Sequence, residues 1–439
     1  MITLSFMACV GTTPVETLEV EVSVDVESHT ALTVSWTTEE PADAAIEVGT
    51  DAGYGRRVEG WSSADGLEHA VVLAGLGADA PWHWRAISAV AGDVVVSEGA
   101  IFEAAAAPAD LPELVVTGSY DGLVVGPMHV GESYVAIYRA DGLPVWWRKM
   151  STTTVSLTQA RMSLDGRAVV LIGTFPELGR DTAIVRLPLA GGEPTIAFVP
   201  NGHHDFMERP EGGYAVLARD IRDVAGYEVE GDALVEVSES GEITTIWSSW
   251  DLGLHIDPAS LPELEGSERR EWTHMNSVAY QEGNYWLSSY LLEAVFVVQR
   301  DTGALLSTIG GDNSDVRVAG DGEGFGPQHG VLPTDGGFLV FNNRKNEPGD
   351  SWAEVVEYEL DLRKGEYTRR WSYNADRALF TPVLGNVDPL PEGGHFTAWG
   401  LAGNLTILDD SHTPTWEAAT PLGSTFAYAH PVAALSGEP

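Results

Sequence analysis

Four of the twelve histidines stand in segments whose punctuation suggests a working site. His203 and His204 lie in Asn201–Glu208 (NGHHDFME), His274 in Glu271–Val278 (EWTHMNSV) and His329 in Gly326–Gly330 (GPQHG). Each segment runs into a glycine-bearing turn and an apolar run, GGYAVLA, GNYWLSS and DGGFLVF respectively. Imidazoles brought together have two natural uses. They bind a transition metal, or they serve as nucleophile, base and anion-binding groups. A neutral imidazole attacks phosphoryl or sulfuryl groups, and protonated neighbours stabilise the oxygens of the group in transit. Asp205, beside His204, is a candidate for fixing a ring tautomer. The chain has one cysteine, which excludes a zinc-thiolate site and any disulfide within it.

The elements that must position these rings read as strands. Short runs rich in Val, Ile, Leu, Trp and Tyr alternate with Gly, Asp, Asn and Pro clusters, as in Ala31–Trp36, Ala168–Ile172, Tyr214–Leu217, Ala294–Val298 and Phe338–Phe341. No segment keeps a helical period over about 12 residues, so the expected fold class is all-β. The Ala/Pro stretch Ala104–Pro112 suits a linker. It divides a tether at 1–16 and a sandwich-like unit at 17–106 from a repeating unit at 114–439, with 107–113 between them. In the repeating unit a Gly- or Asp-containing turn leads into a strand ending in Trp or Ile. Copies occur at Asp141–Trp147, Gly191–Val199, Ser240–Trp247, Thr302–Gly311, Lys364–Trp371 and Ser411–Ala419. Six copies at about 54 residues each read as six propeller blades. The three histidine segments then occupy equivalent places in the repeat. Equivalent places lie on one face around one axis, so the rings converge at one mouth of the channel. His129, His255, His395, His412 and His430 read as structural or exposed.

Two resemblances follow from these motifs. Residues 17–106 resemble a fibronectin type III domain, with Trp36 in an early strand, Leu73 and Leu76, and Trp82 and Trp84 where Tyr-x-Tyr is usual. The segments HHDF, WTHMNSVAYQEGNYWLSSY, FGPQHG and GGFLVFNN, in this order, resemble the bacterial arylsulfotransferases over about residues 114–435. That resemblance implies a six-bladed, extracytoplasmic propeller. It implies sulfuryl transfer from a phenolic sulfate to a phenol through a sulfated histidine, with no nucleotide sulfate donor, no cofactor and no metal. By the same resemblance His329 is the nucleophile. His274, with Asn276 beside it, and His204, with His203 beside it, bind the sulfuryl group. The family's sulfate-clamping Arg falls on Tyr290, which brings one hydrogen bond and no charge. Either another base substitutes, Arg344 being the nearest candidate, or the site no longer handles sulfate. A non-catalytic cell-surface binding module on a decayed propeller is the alternative expectation.

Composition narrows the partners. With 65 acidic against 24 basic residues, the formal charge is −41. A phosphate backbone would be repelled, so nucleic acid is excluded as a partner, and an anionic membrane surface is disfavoured. An apolar start, a small residue and then Cys9 before a polar stretch resemble a bacterial lipoprotein signal. That resemblance implies lipidation at Cys9 and a periplasmic or cell-surface location.

Overall fold

The computed structural model describes residues 17–24, 30–150, 156–175, 182–264, 268–320, 322–344, 351–375, 379–433 and 435. Cys9 and the tether at 1–16 lie outside the described residues. The chain is all-β, and the strands of the described residues form eight sheets. Two sheets fall within Val20–Phe102 and six within Val115–Val432.

In the N-terminal unit, period-two alternation decides which side chains turn inward. Along Leu32–Thr37, Leu32, Val34 and Trp36 are buried while Thr33 and Ser35 are half-buried. They meet Ile46, Val48, Trp82 and Trp84 of the second sheet in one core. Both paired tryptophans are thus inward, and the indole of Trp82 donates to the Gly77 carbonyl at 2.8 Å, which satisfies its polar edge.

The six C-terminal sheets follow one another in chain order. Their inner strands are His430–Val432, Ser156–Met162, Gly202–Glu208, Met275–Gln281, Gln328–Thr334 and Asn386–Pro389, each in contact with the next. A sheet apolar on both faces cannot stand alone, so neighbours cover one another around an axis. Trp247 at the outer edge of the third sheet, for example, lies 5.6 Å from the ring of Phe296 in the fourth. Each of the six sequence repeats is the hairpin into the last strand of one sheet. The ring is propeller-like and closes through both ends of the chain. His430–Val432 pairs with Leu123–His129 in the first sheet, and Val115–Gly118 pairs with Pro414–Ala419 in the sixth.

The stretch read as a linker contains no strand, yet it is packed. Leu111 and Leu114 are buried beside Trp147 and Trp416, and Asp110 accepts the Tyr134 hydroxyl at 2.9 Å. The two units also touch, because Arg139 of the ring reaches Asp79 at 2.9 Å.

Side chains on the inner strands pin neighbouring sheets together. Asp205 is 1% exposed. It accepts from Gln159 (3.1 Å) and Arg161 (3.0 Å) in the second sheet and from the Val278 amide (2.9 Å) in the fourth. Ser277 Oγ accepts the Val331 amide at 3.0 Å, joining the fourth sheet to the fifth. Removing the Asp205 carboxylate would leave these donors buried and unpaired. Asp205→Ala is therefore expected to cost about 2–3 kcal/mol in urea unfolding. A loss below about 0.5 kcal/mol, the usual scale of a neutral surface change, would contradict the pinning role.

Candidate active site

The three histidine segments fold alike. Each forms the start of an inner strand, and each carries a bulge there. Register slips between Gly202 and Phe206, between Met275 and Ser277, and between His329 and Leu332. A bulge turns a strand and re-aims its side chains. The backbone is left-handed at His204 (φ 53°), His274 (φ 48°) and Gly330 (φ 59°). That conformation is unfavourable for a residue with a Cβ and clusters at functional sites.

The result is a contiguous set of rings at one mouth of the ring of sheets. Centroid separations are 5.0 Å for His203–His204 and 4.9 Å for His204–His274. They are 5.5 Å for both His274–Tyr290 and Tyr290–His329. Tyr290 stands between His274 and His329. Its hydroxyl donates to the Pro382 carbonyl at 3.1 Å.

His329 is 1% exposed, and its two nitrogens are assigned by their partners. The Asn343 amide group donates to the carbonyls of Thr381 (3.0 Å) and Leu384 (2.9 Å). Its Oδ1 is therefore the acceptor that faces His329 Nδ1 at 2.6 Å. Nδ1 must carry the proton, which leaves the lone pair on Nε2. Nε2 accepts the Leu384 amide at 3.2 Å. Burial pushes the ring's pKa down to about 3, against the Asn343 hydrogen bond and helped by nearby His274. His329 is thus a neutral imidazole.

His274 has the opposite charge preference. Burial works against a charge here, but the carboxylates of Glu271, Asp232 and Glu230 outweigh it and raise its pKa above the usual histidine value. Glu271 Oε1 lies 2.9 Å from His274 Nδ1. His204 is pushed well below the usual value by burial and by repulsion from His203, His274, His329 and Arg219. Its Nδ1 meets His203 Nδ1 at 2.7 Å, and His203 Nε2 sits 2.9 Å from Asp232. Asp232 is held ionised, despite its burial, by His203, Thr273 and the Met275 amide. The contact between the two Nδ1 atoms holds a single proton, so one ring donates there and the other accepts.

Two expectations from sequence meet a different geometry. Asp205 does not orient His204. Its carboxylate is spent on the neighbouring sheets, and Asp232 and Glu271 are the acids beside the rings. The Arg344 guanidinium pairs with Glu354 at 3.4 Å and Glu323 at 3.9 Å and lies over Trp352 at 4.3 Å. It is not drawn into the histidine cluster. Asn276 is buried, and its amide donates to the Gln328 carbonyl at 2.6 Å, next to His329. It bridges two inner strands, and its Oδ1 is buried without a hydrogen-bond partner.

Sequence reasoning passed over Asn343, Asp232, Glu271, Arg219 and Leu384. Asn343 stood in the quoted motif GGFLVFNN. Asp232 lies 28 residues from His204 with no local signal, and only the pairing of Arg219 with Asp232 brings that strand alongside. Among the described residues no three of His, Cys, Asp and Glu are arranged to hold a metal ion.

Replacing Asn343 by Leu removes the group that fixes the His329 tautomer. Nitrogen-15 shifts of labelled histidine should show one Nδ1–H tautomer in the parent and a mixture in Asn343→Leu. An unchanged tautomer would overturn the assignment.

The fold resembles several solved structures, all at TM-scores below 0.5. A protein of unknown function from Bacteroides caccae gives a TM-score of 0.46 at 16% identity, covering 72% of this chain and 99% of its own. Virginiamycin B lyase from Staphylococcus aureus gives 0.37 at 12% identity, covering 69% and 87%. A chain of a nidogen/laminin complex gives 0.43 at 9% identity, covering 72% and 98%. No curated protein matches the sequence. A family profile does: that described as Arylsulfotransferase (ASST) matches residues 132–417, well over half the chain, a range within which the four histidines fall. The chain therefore belongs to the arylsulfotransferase family.

Proposed function

We propose that this protein transfers a sulfuryl group from a phenolic sulfate to a second phenol through a sulfated His329. The observation that carries the reading is the charge pattern of the cluster. A buried neutral imidazole, with its lone pair on Nε2, stands across the Tyr290 ring from a histidine that favours its protonated form.

The chemistry follows from those states. The Nε2 lone pair attacks sulfur, an N–S bond forms, and the S–O(aryl) bond breaks with its electron pair leaving on the aryloxide. Protonated His274 gives the aryloxide a proton. Asn343 Oδ1, already bonded to Nδ1–H, stabilises the positive charge that the ring gains on sulfation. His204 holds a sulfuryl oxygen, and the one N–H of His274 not directed at Glu271 is the one that reaches the aryloxide. In the second half, the acceptor phenol returns its proton to His274 and its oxygen attacks sulfur. The N–S pair then goes back to Nε2. Arg219 pairs with Glu230 at 2.8 Å, and its charge acts on His204; it is the guanidinium nearest the rings in place of Arg344. Tyr290 contributes a ring wall between His274 and His329.

One step precedes attack: the Leu384 amide must leave Nε2. Leu384 holds a left-handed backbone (φ 65°), and this strain favours its release. That blocked lone pair is also what favours the second reading, a surface binding module without turnover. We assign the enzyme to the outside of the cytoplasm, with Cys9 as a lipid attachment site and the N-terminal fibronectin-like sandwich as a spacer.

The deciding experiment mixes protein with p-nitrophenyl sulfate and follows phenol release together with intact mass. A burst equal to the enzyme concentration, with one added sulfuryl group and neither in His329→Ala, is expected. No burst and no adduct across several aryl sulfates would favour the binding module. The pH profile supplies a second test. His329 must be unprotonated and His274 protonated. kcat/KM should therefore be flat above about pH 4, one unit over the His329 value. It should fall as pH rises through the elevated His274 pKa. Glu271→Gln, which removes the main group raising that pKa, should move the fall to lower pH. An alkaline limb that does not move would remove His274 from the role.

A further inference from the structure

A groove of about 390 Å³ opens beside the candidate active site, between the third and fourth sheets. Its apolar wall is Leu252, Leu254, Leu291, Leu292, Phe296 and Leu305. Its volume falls in the ordinary range of small-molecule sites, about 300–1,000 Å³. Three observations tie it to the histidines.

The first is register. In the fourth sheet Met275 pairs with Ser289, Ser289 with Ala294, and Val295 with Ile309. Met275, Ser289 and Ala294 form one row, and Val295 and Ile309 the next, both at the end of the sheet that carries His274. The Tyr290–Glu293 turn and Gly310 and Gly311 lie at that same end, just beyond Ser289 and Ile309.

The second is covalent and hydrogen-bonded continuity. Leu291 is the next residue after Tyr290, whose ring lies against His274 and His329. The Tyr290 amide donates to the His274 carbonyl at 3.0 Å, and the Leu291 amide to the Thr273 carbonyl at 3.3 Å. The turn that carries the groove wall is thus fastened to the His274 strand.

The third is that the groove is preformed. Gly310 and Gly311 are left-handed (φ 76° and 71°). A Cβ on Gly311 would meet the Leu292 carbonyl at 2.4 Å, and one on Gly310 would meet Phe325 at 2.6 Å. The wall is close-packed behind a partly open leucine face, with Leu291 at 37% and Leu305 at 38% exposure.

We propose that this groove binds the distal apolar part of the phenol, so that the substrates are extended neutral phenols of two or more rings. The inference rests on the sulfuryl-transfer reading and names its substrate class. Neighbouring strands lie about 4.8 Å apart, so the third and fourth strands of the sheet stand roughly 10–14 Å from the inner one. A single phenol ring beside His329 would end at Tyr290. A second ring would pass Tyr290 and reach the leucines. Glu293 and Asp312, the acids of the lining, would repel an anionic tail.

The test is equilibrium binding of phenol and 4-phenylphenol to the full chain by calorimetry, independent of turnover. 4-Phenylphenol should bind at least roughly tenfold tighter than phenol, the usual effect of burying one more ring. Leu254→Asp should abolish that advantage while leaving phenol binding unchanged. Leu305→Ser, at an exposed position, is the second variant should Leu254→Asp unfold, and it should reduce the advantage several-fold. Equal affinities for the two phenols, or an advantage that survives in the folded variants, would overturn the groove. Tight, leucine-dependent binding without phenol release from any aryl sulfate would support the groove and overturn sulfuryl transfer. Transfer without a preference for the longer phenol would do the reverse.

Discussion

Closure of the ring is the constraint on which the site depends. Six sheets in succession would expose apolar faces at both ends if the circle stayed open. The chain closes it with its two ends, a strand at 430–432 on the first sheet and one at 115–118 on the sixth. Asn386 adds a polar fastening there, because its Oδ1 accepts the Ala429 amide at 3.2 Å. Once the circle is shut, the radial position of every inner strand is set by its neighbours, since close-packed interiors do not deform continuously. Residues 55 to 70 positions apart in sequence, such as His204, His274 and His329, are then held ring against ring.

The inner strands divide their side chains between two tasks. Asp205 and Ser277 face neighbouring strands and saturate their amides, which fixes the spacing of the sheets. His204, His274 and His329 face the mouth instead. The bulge at the start of each strand separates the two tasks, because an extra residue shifts the alternation of faces. His204 and Asp205 are adjacent in sequence, yet one joins the ring cluster and the other the sheet fastening.

Opposite protonation preferences within one small volume are the chemical consequence. His329 has neutral partners, an amide oxygen and a backbone N–H, so burial dominates and the ring stays uncharged. His274 has carboxylates around it and favours its proton. Titratable groups whose environments push them apart are the usual mark of an acid and a base or nucleophile working together. In a chain of charge −41 these acids are not scattered counter-charges. Asp232 accepts Thr273 Oγ1 at 2.5 Å and the Met275 amide at 2.7 Å, so it is as fixed as the rings it serves.

By itself the sequence determined the all-β class, the repeat and the histidines that share a place in it. These are legible because they depend on local pattern: strand alternation, turn residues and a period. Trp36 stood in a stretch of plain alternation, and Trp82 and Trp84 were singled out by the resemblance to a fibronectin type III domain. What the histidines touch was decided only by tertiary structure. Asp205, the sequence neighbour, turned out to be a fastening, while Asp232, 28 positions away, became the partner of His203. Arg344 was near in sequence to the His329 motif but was captured by Glu354, Glu323 and Trp352. Hydrogen-bond partners depend on which strands closure brings side by side and on which way a bulge turns each side chain. Neither quantity has a signature in a short stretch of sequence.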